Sequence, residues 1–338
     1  MSMRAGIIGC GGIAVVHARS IAGTEGGSIS AVADCVAQRA GELAAQYSAR
    51  AYTDWEEMLE REKPDIVHIC TPHYLHTPMI VQCIARGIHV FAEKPPVISW
   101  EQLTELQELF ALPASGGMRP RMGVCFQNRW NPEVQSAKAL LESGELGGII
   151  GARGFVTWRR DSAYYRDDWH GKMALEGGGA LINQGIHTLD LMQYLVGKKA
   201  DAVNAMQANF HLQGEIEVED TLCAHILYPG ARAVLYVTTG YAKDAPPLVE
   251  IACERGSIRM EDSCLDIRRE GQPPEIRTFT QAEGYGKAYW GAGHQTAVSH
   301  FYGSVEENVP DLLDFANVED TLDLMLKIYE KAREKEEK

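Results

Sequence analysis

At 338 residues, 45% hydrophobic and 23% charged, the chain has an ordinary globular composition and a length that suits two domains better than one core. Its formal net charge of −14 argues against nucleic acid or anionic membrane surfaces as partners, though a local anion site built from backbone N–H groups stays compatible with it. No apolar run reaches the length of a membrane span, and four glycines between Gly6 and Gly12 interrupt the only N-terminal stretch that resembles a signal peptide. Eight scattered cysteines form no Cys-x-x-Cys and no zinc spacing, so a cytoplasmic protein with reduced thiols and no bound metal is expected.

The first 125 residues alternate short buried strands with amphipathic helices. Strands are expected at 4–8, 29–33, 66–70, 90–92 and 122–126, with helices at 14–22, 36–47, 55–61, 78–86 and 100–110. Ser99, with Gln102 three residues on, signals the start of the last of these helices. The alternation implies right-handed crossovers and a doubly wound parallel sheet, an α/β domain over residues 1–125. Beyond it, helices are expected at 132–143 and 180–196. Strands then follow at 203–210, 221–228, 231–239, 249–253, 257–260, 264–268 and 276–279, and a helix at 318–334 closes the chain. Residues 126–338 therefore read as an α+β domain with a large, mostly antiparallel sheet.

Gly9-Cys10-Gly11-Gly12-Ile13-Ala14 follows the first strand and opens the first helix, matching Gly-x-Gly-x-x-Gly/Ala. Gly9 permits the turn, Gly11 lets a pyrophosphate approach the backbone, and Ala14 allows close helix–sheet packing. Asp34 ends the second strand about 20 residues beyond Ala14, where a carboxylate accepts from the hydroxyls of an adenosine ribose. NAD is the expected cofactor; Arg39, one helical turn on, keeps NADP open. By the switch-point rule Thr71, Pro72 and His76 line the same crevice. Glu93-Lys94-Pro95-Pro96 stops an apolar strand with a charged pair and two residues that cannot donate to a ladder, which sets a lysine at the mouth of the sheet. In the run from Gly177 to Asp190, helical spacing puts Asn183 and His187 on one face, with Asp190 three residues further on. His187 and Asp190 alone are too few ligands for a metal.

Together these stretches resemble the Gfo/Idh/MocA family of oxidoreductases over nearly the whole chain. The carrying segments are GIIGCGGIA, TPHYLH, EKPP, FQNRWNP, GGGALINQGIHTLD and GHQTAVSHF. The resemblance implies a Rossmann domain and a C-terminal domain whose open sheet forms subunit interfaces in a homodimer or homotetramer. It also implies nicotinamide-dependent chemistry on a sugar, polyol or sugar derivative. Lys94 then contacts the reacting hydroxyl, His187 exchanges its proton, Asn183 positions a hydroxyl, and the Lys94–Pro95 peptide is cis as in relatives. Many polyol dehydrogenases of the family carry aspartate where this chain has Asn183, which leaves glycosides, nucleotide sugars and keto-sugars open as substrates. Glu93, Lys94, Asn128 and Trp158 complete the expected cofactor contacts, after Gly9, Gly11, Gly12 and Ile13. Tyr164, Trp169 and His294 join Asn183 and His187 as expected substrate contacts, because aromatic faces and polar tips suit carbohydrate. Two other readings stay open: a glycoside-cleaving enzyme that oxidises its substrate transiently, and a non-catalytic NAD or sugar sensor.

Overall fold

A computed structural model describes residues 3–111, 119–280 and 293–336. They form two compact units. In the first, β1 (Met3–Ile8), α1 (Gly12–Ala22), β2 (Gly27–Ala33), α2 (Ala37–Tyr47), β3 (Arg50–Tyr52) and α3 (Trp55–Glu62) are followed by β4 (Ile66–Ile69), α4 (His76–Ala85), β5 (His89–Ala92), α5 (Trp100–Ala111) and β6 (Met122–Val124). The strands pair in parallel, in the order β3-β2-β1-β4-β5-β6. This is the doubly wound arrangement, with its switch point between β1 and β4. Ile66, Val67 and Ile69 are wholly buried because helices cover both faces of a parallel sheet, so its strands alternate hardly at all.

The register matters for function. Ile8 pairs with both Ala33 and Ile69, and Ile69 pairs with Ala92. The residues that follow, Gly9, Asp34, Cys70 and Glu93, therefore leave the sheet in one row along its carboxyl edge. Ser99 and Gln102 start α5 as expected: the Gln102 N–H donates to Ser99 Oγ, and its side chain accepts from Ile98 N–H.

The second unit holds α6 (Pro132–Glu142), β7 (Ile149–Thr157), α7 (Met173–Glu176), a π-helical turn at Leu181–Gly185 and α8 (Ile186–Val196). Seven strands follow: β8 (Ala202–Ala208), β9 (Thr221–Tyr228), β10 (Ala231–Thr238), β11 (Leu248–Cys253), β12 (Gly256–Glu261), β13 (Cys264–Arg269) and β14 (Glu275–Thr278). The eight-stranded sheet runs β14-β13-β12-β11-β7-β10-β9-β8 and is antiparallel except where β7 meets β10. Residues on one face, such as Ala224, Leu235 and Val249, are buried. On the same side, Gly154 has no room for a Cβ because Met192 and Thr188 of α8 lie 2.4 and 2.8 Å away.

α9 (Gly293–Glu307) returns to the first unit, and α10 (Phe315–Glu336) ends the described chain. The division falls after Gln127 rather than at 125, and residues 293–318 join the N-terminal unit, whereas the sequence reading assigned everything beyond 125 to the second. Packing supplies the reason. Gln295 donates to Ser20 O on α1 at 3.1 Å, and the Phe301 ring lies 5.2 Å from that of Phe91 on β5. Gly123 on β6 is where Phe301 needs space: a Cβ there would sit 2.7 Å from its ring. Among the described residues no helix is long and apolar enough to cross a membrane.

Candidate active site

The glycine loop has the geometry that its spacing implies. Gly9 has φ +88°, and a Cβ on it would lie 2.6 Å from the carbonyl oxygen of Cys70, so only glycine fits. Gly11 is the residue before α1; no side chain caps it, and the space that a Cβ would take is open. The N–H groups of Gly12 and Ile13, ahead of Ala14 whose N–H goes to Gly11 O at 3.2 Å, thus face an uncrowded loop, as a pyrophosphate site requires. The Asp34 carboxylate ties this loop down, taking the N–H of Cys10 through Oδ2 and that of Val36 through Oδ1, each at 2.8 Å. Oδ2 keeps a lone pair for a ribose hydroxyl, while Oδ1 also meets the Cys35 thiol at 3.8 Å. Arg39 is exposed on α2, and burial followed by the Asp34 charge pushes the Cys10 thiol up to about 12. These residues fit a dinucleotide: the α1 N-terminus for its pyrophosphate, Asp34 for its ribose.

His76 is a tie rather than an acid or base. Its ring nitrogens lie 2.7 Å from the carbonyl oxygens of Pro95 and Thr71, and burial outweighs both contacts in holding its pKa down. Thr77 Oγ1 donates to Pro96 O at 2.7 Å. The first turn of α4 therefore clamps both prolines behind Lys94, and the Lys94–Pro95 peptide is cis. Between Phe91 and Val97 every residue is buried except Lys94.

Glu93, buried beside it, is the unexpected centre of this edge. Its Oε1 lies 2.9 Å from His17 Nε2, and its Oε2 accepts the Lys94 N–H at 3.2 Å. Burial alone would raise this carboxyl; the hydrogen bond and charge of His17, then Lys94 and His294, outweigh it and hold the group far below the usual carboxylate range. His17 Nδ1 meets His68 Nδ1 at 2.8 Å, and His68 Nε2 meets the Tyr302 hydroxyl at 3.0 Å. With each imidazole carrying one proton the chain closes: Tyr302 donates to His68, His68 to His17, and His17 to Glu93. Burial, then the His17 charge, keeps His68 well below its ordinary pKa. Glu93, His17 and Cys125 lie close enough to hold a metal, but His17 and Glu93 already satisfy each other. His294, expected at the substrate, sits in this unit with its ring 6.4 Å from that of His17.

In the second unit, the segment carrying Asn183 and His187 is locked at its start. The buried Glu219 carboxylate accepts from the N–H groups of Gly179 and Leu181 and from the Tyr329 hydroxyl, which itself accepts from Ile182 N–H. The glycines before it serve packing: a Cβ on Gly178 would lie 2.2 Å from the Tyr329 oxygen, and one on Gly179 2.0 Å from Glu219 O. The π turn alters the spacing between Asn183 and His187, whereas His187 and Asp190 both lie in the regular α8. Asp190 turns inward, where Arg129 holds it through two hydrogen bonds at 2.8 and 2.6 Å and Thr321 donates at 2.8 Å. Asn183 and His187 are the only residues from Ala180 to Gln193 that are not buried. Tyr164 accepts from Asn183 Nδ2 at 3.2 Å, and Trp169 stacks on His170 with ring centroids 3.7 Å apart. Trp158 is buried and donates its indole N–H to Ala245 O at 2.9 Å; Asn128 lies partly exposed in a short 3₁₀ turn.

Residues 3–112 match the model of an oxidoreductase family with an NAD-binding Rossmann fold, and residues 134–259 match the GFO/IDH/MocA C-terminal domain. The chain belongs to the Gfo/Idh/MocA oxidoreductase family. D-glucoside 3-dehydrogenase of Escherichia coli is 32% identical over 211 residues, 60% of this chain and 57% of that relative's length. Inositol 2-dehydrogenase of Rubrobacter xylanophilus is 25% identical over 274 residues, 79% of this chain and 73% of the relative. Among solved structures, the WlbA dehydrogenase of Bordetella pertussis, crystallised with NADH and UDP-GlcNAcA, is 26% identical with a TM-score of 0.84, covering 98% of this chain and 97% of that one.

Sequence reasoning did not single out His17, His68, Tyr302, Arg129, Glu176 or Glu219. One signal was available: His17 and His68 occupy positions that periodicity assigns to the core, and a core histidine needs a partner. A pH test follows from this cluster. An unfolded His294 takes up a proton near pH 6.5, whereas burial delays this in the folded protein to about 4. The unfolded chain therefore binds more protons between those values, so stability falls as pH drops from 6.5 toward 4. Glu93, still ionised in the fold below its ordinary 4.5, extends the loss to lower pH. The melting temperature should be level between about pH 7 and 8 and decline below 6.5, and His294→Gln should remove up to about 3 kcal/mol of that decline. An undiminished decline in His294→Gln contradicts the assignment.

Proposed function

We propose that the protein is an NAD-dependent dehydrogenase that oxidises a secondary hydroxyl of a sugar, polyol or sugar derivative, or reduces the corresponding ketone. The observation that carries the reading is the pair of open positions, Asn183 and His187, on a helix otherwise buried from Ala180 to Gln193. A half-accessible imidazole on a locked helix suits proton exchange with a hydroxyl. Lys94, alone accessible in a buried turn, suits a cation held for a developing alkoxide. Family membership and the relatives named for glucoside and inositol oxidation support the substrate class.

In this reading NAD supplies the hydride acceptor, with its pyrophosphate at the start of α1 and its adenosine ribose at Asp34. His187 takes the hydroxyl proton during oxidation and returns it in reduction. Lys94 holds the same oxygen and stabilises its negative charge. Asn183 orients that hydroxyl or its neighbour, while Tyr164 and Trp169 present aromatic surface to C–H faces of the sugar. The expected setting is the cytoplasm.

A screen of sugars, polyols and nucleotide sugars with NAD, read by nicotinamide absorbance, should find reduction by at least one class. Lys94→Ala and His187→Ala should each lower kcat by roughly 10²–10⁴ while NAD still binds. Full turnover in both variants would overturn the roles.

Self-association through the second unit's sheet belongs to the same proposal. The face opposite α8 carries Met206, Cys223, Tyr236 and Phe155 as one cross-strand row, with Val234 exposed beside it. Light scattering should give a dimer or tetramer, reduced toward monomer by Val234→Glu; a monomeric wild type contradicts this.

A further inference from the structure

Asn183 does not stand alone. Glu176 closes α7 and is 1% exposed, and its Oε1 accepts from Asn183 Nδ2 at 2.6 Å. Its Oε2 accepts from the N–H of Gly171. The other hydrogen of the Asn183 amide goes to the Tyr164 oxygen at 3.2 Å, which also accepts from Gln184 Nε2 at 3.3 Å. His170 gives its Nδ1 proton to Asp167, which leaves Nε2, 3.4 Å from the Tyr164 oxygen, to receive the phenol proton. Every hydrogen in the cluster therefore has a direction. The amide cannot be turned over, because its oxygen would then face a carboxylate.

We propose that Glu176 is a positioning residue for Asn183. It commits the amide nitrogen, so Asn183 meets the substrate as a hydrogen-bond acceptor and selects a ligand that offers a hydroxyl there. It also accounts for the departure from the aspartate that many polyol dehydrogenases of the family carry: a carboxylate at position 183 would lie against the buried one at Glu176, two like charges where one now accepts from an amide. The negative charge that an aspartate would place at that position stands one hydrogen bond further back, on Glu176. Burial and then the Glu176 charge raise the ionisation of the Tyr164 phenol, which keeps its proton available for His170.

The proposal rests on the dehydrogenase reading for its catalytic consequence but not for its electrostatics, and a three-variant cycle separates the two. Asn183→Asp alone should melt lower than wild type and lose about 100-fold or more in kcat/KM, through two facing carboxylates. Glu176→Gln alone should lose about tenfold in kcat/KM, mostly in kcat, because a neutral partner no longer dictates the amide's orientation. The double variant Glu176→Gln/Asn183→Asp restores one donor and one carboxylate. It should melt above Asn183→Asp and recover at least about tenfold in kcat/KM. A double variant no more stable and no more active than Asn183→Asp, including one that fails to fold as that variant does, overturns the proposal; so does a Glu176→Gln enzyme with wild-type kcat/KM. If the wild type oxidises no sugar, the dehydrogenase reading fails on its own, and the melting temperatures still decide whether Glu176 sets the amide.

Discussion

A carboxylate buried at the carboxyl edge of the parallel sheet constrains everything around it. Glu93 has left water while ionised, and an unpaired charge in that position would cost several kcal/mol, roughly the whole stability margin of a domain. His17 offsets the cost with a hydrogen bond, and it is held in turn by His68 and Tyr302. One chain of side chains thereby joins α1, β4, β5 and α9. α1 begins at the glycine loop, β5 ends at Lys94, and α9 comes from a distant part of the sequence. Removing any link leaves a buried donor or acceptor without its partner, so the dinucleotide loop and the lysine turn are fixed together.

The second unit repeats the device with other carboxylates. Glu219 caps the start of the π-helical segment, Asp190 anchors its far side to Arg129, and Glu176 orients Asn183. Each acid is buried, and each binds N–H groups or a guanidinium. The segment between them has little freedom left, and the two side chains it leaves accessible are the amide and the imidazole to which the chemistry is assigned. Rigid support of this kind is what a transition-state geometry demands, since a misplacement of about 1 Å can cost around 100-fold in rate.

Much of this was legible from residue order. The doubly wound sheet follows from apolar strands alternating with amphipathic helices, and Gly9, Gly11 and Asp34 could be read because their spacing encodes a mechanism. β7 was not legible: Gly151, Arg153 and Gly154 interrupt its alternation, and the strand is specified by its neighbours β10 and β11 instead. α9 escaped notice because it is recognisable by where it packs rather than by a strong apolar stripe. Asp190 follows His187 by three residues in the regular α8, yet it is spent in a buried ion pair whose partners, Arg129 and Thr321, come from far along the chain. The glycines before Ala180 invited no reading by pattern, since the Tyr329 and Glu219 atoms that exclude a Cβ come from far along the chain.

Direct hydride transfer is the step on which the functional reading stands. Its most direct measurement uses the sugar identified as substrate, deuterated at the carbinol carbon that is oxidised, with unlabelled NAD and mass or NMR analysis of the reduced cofactor. Deuterium at C4 of the nicotinamide, on one face only, with kcat or kcat/KM slowed by the label, is the predicted result. Reduced nicotinamide without deuterium, or product formed with the label retained on the sugar carbon, would contradict it.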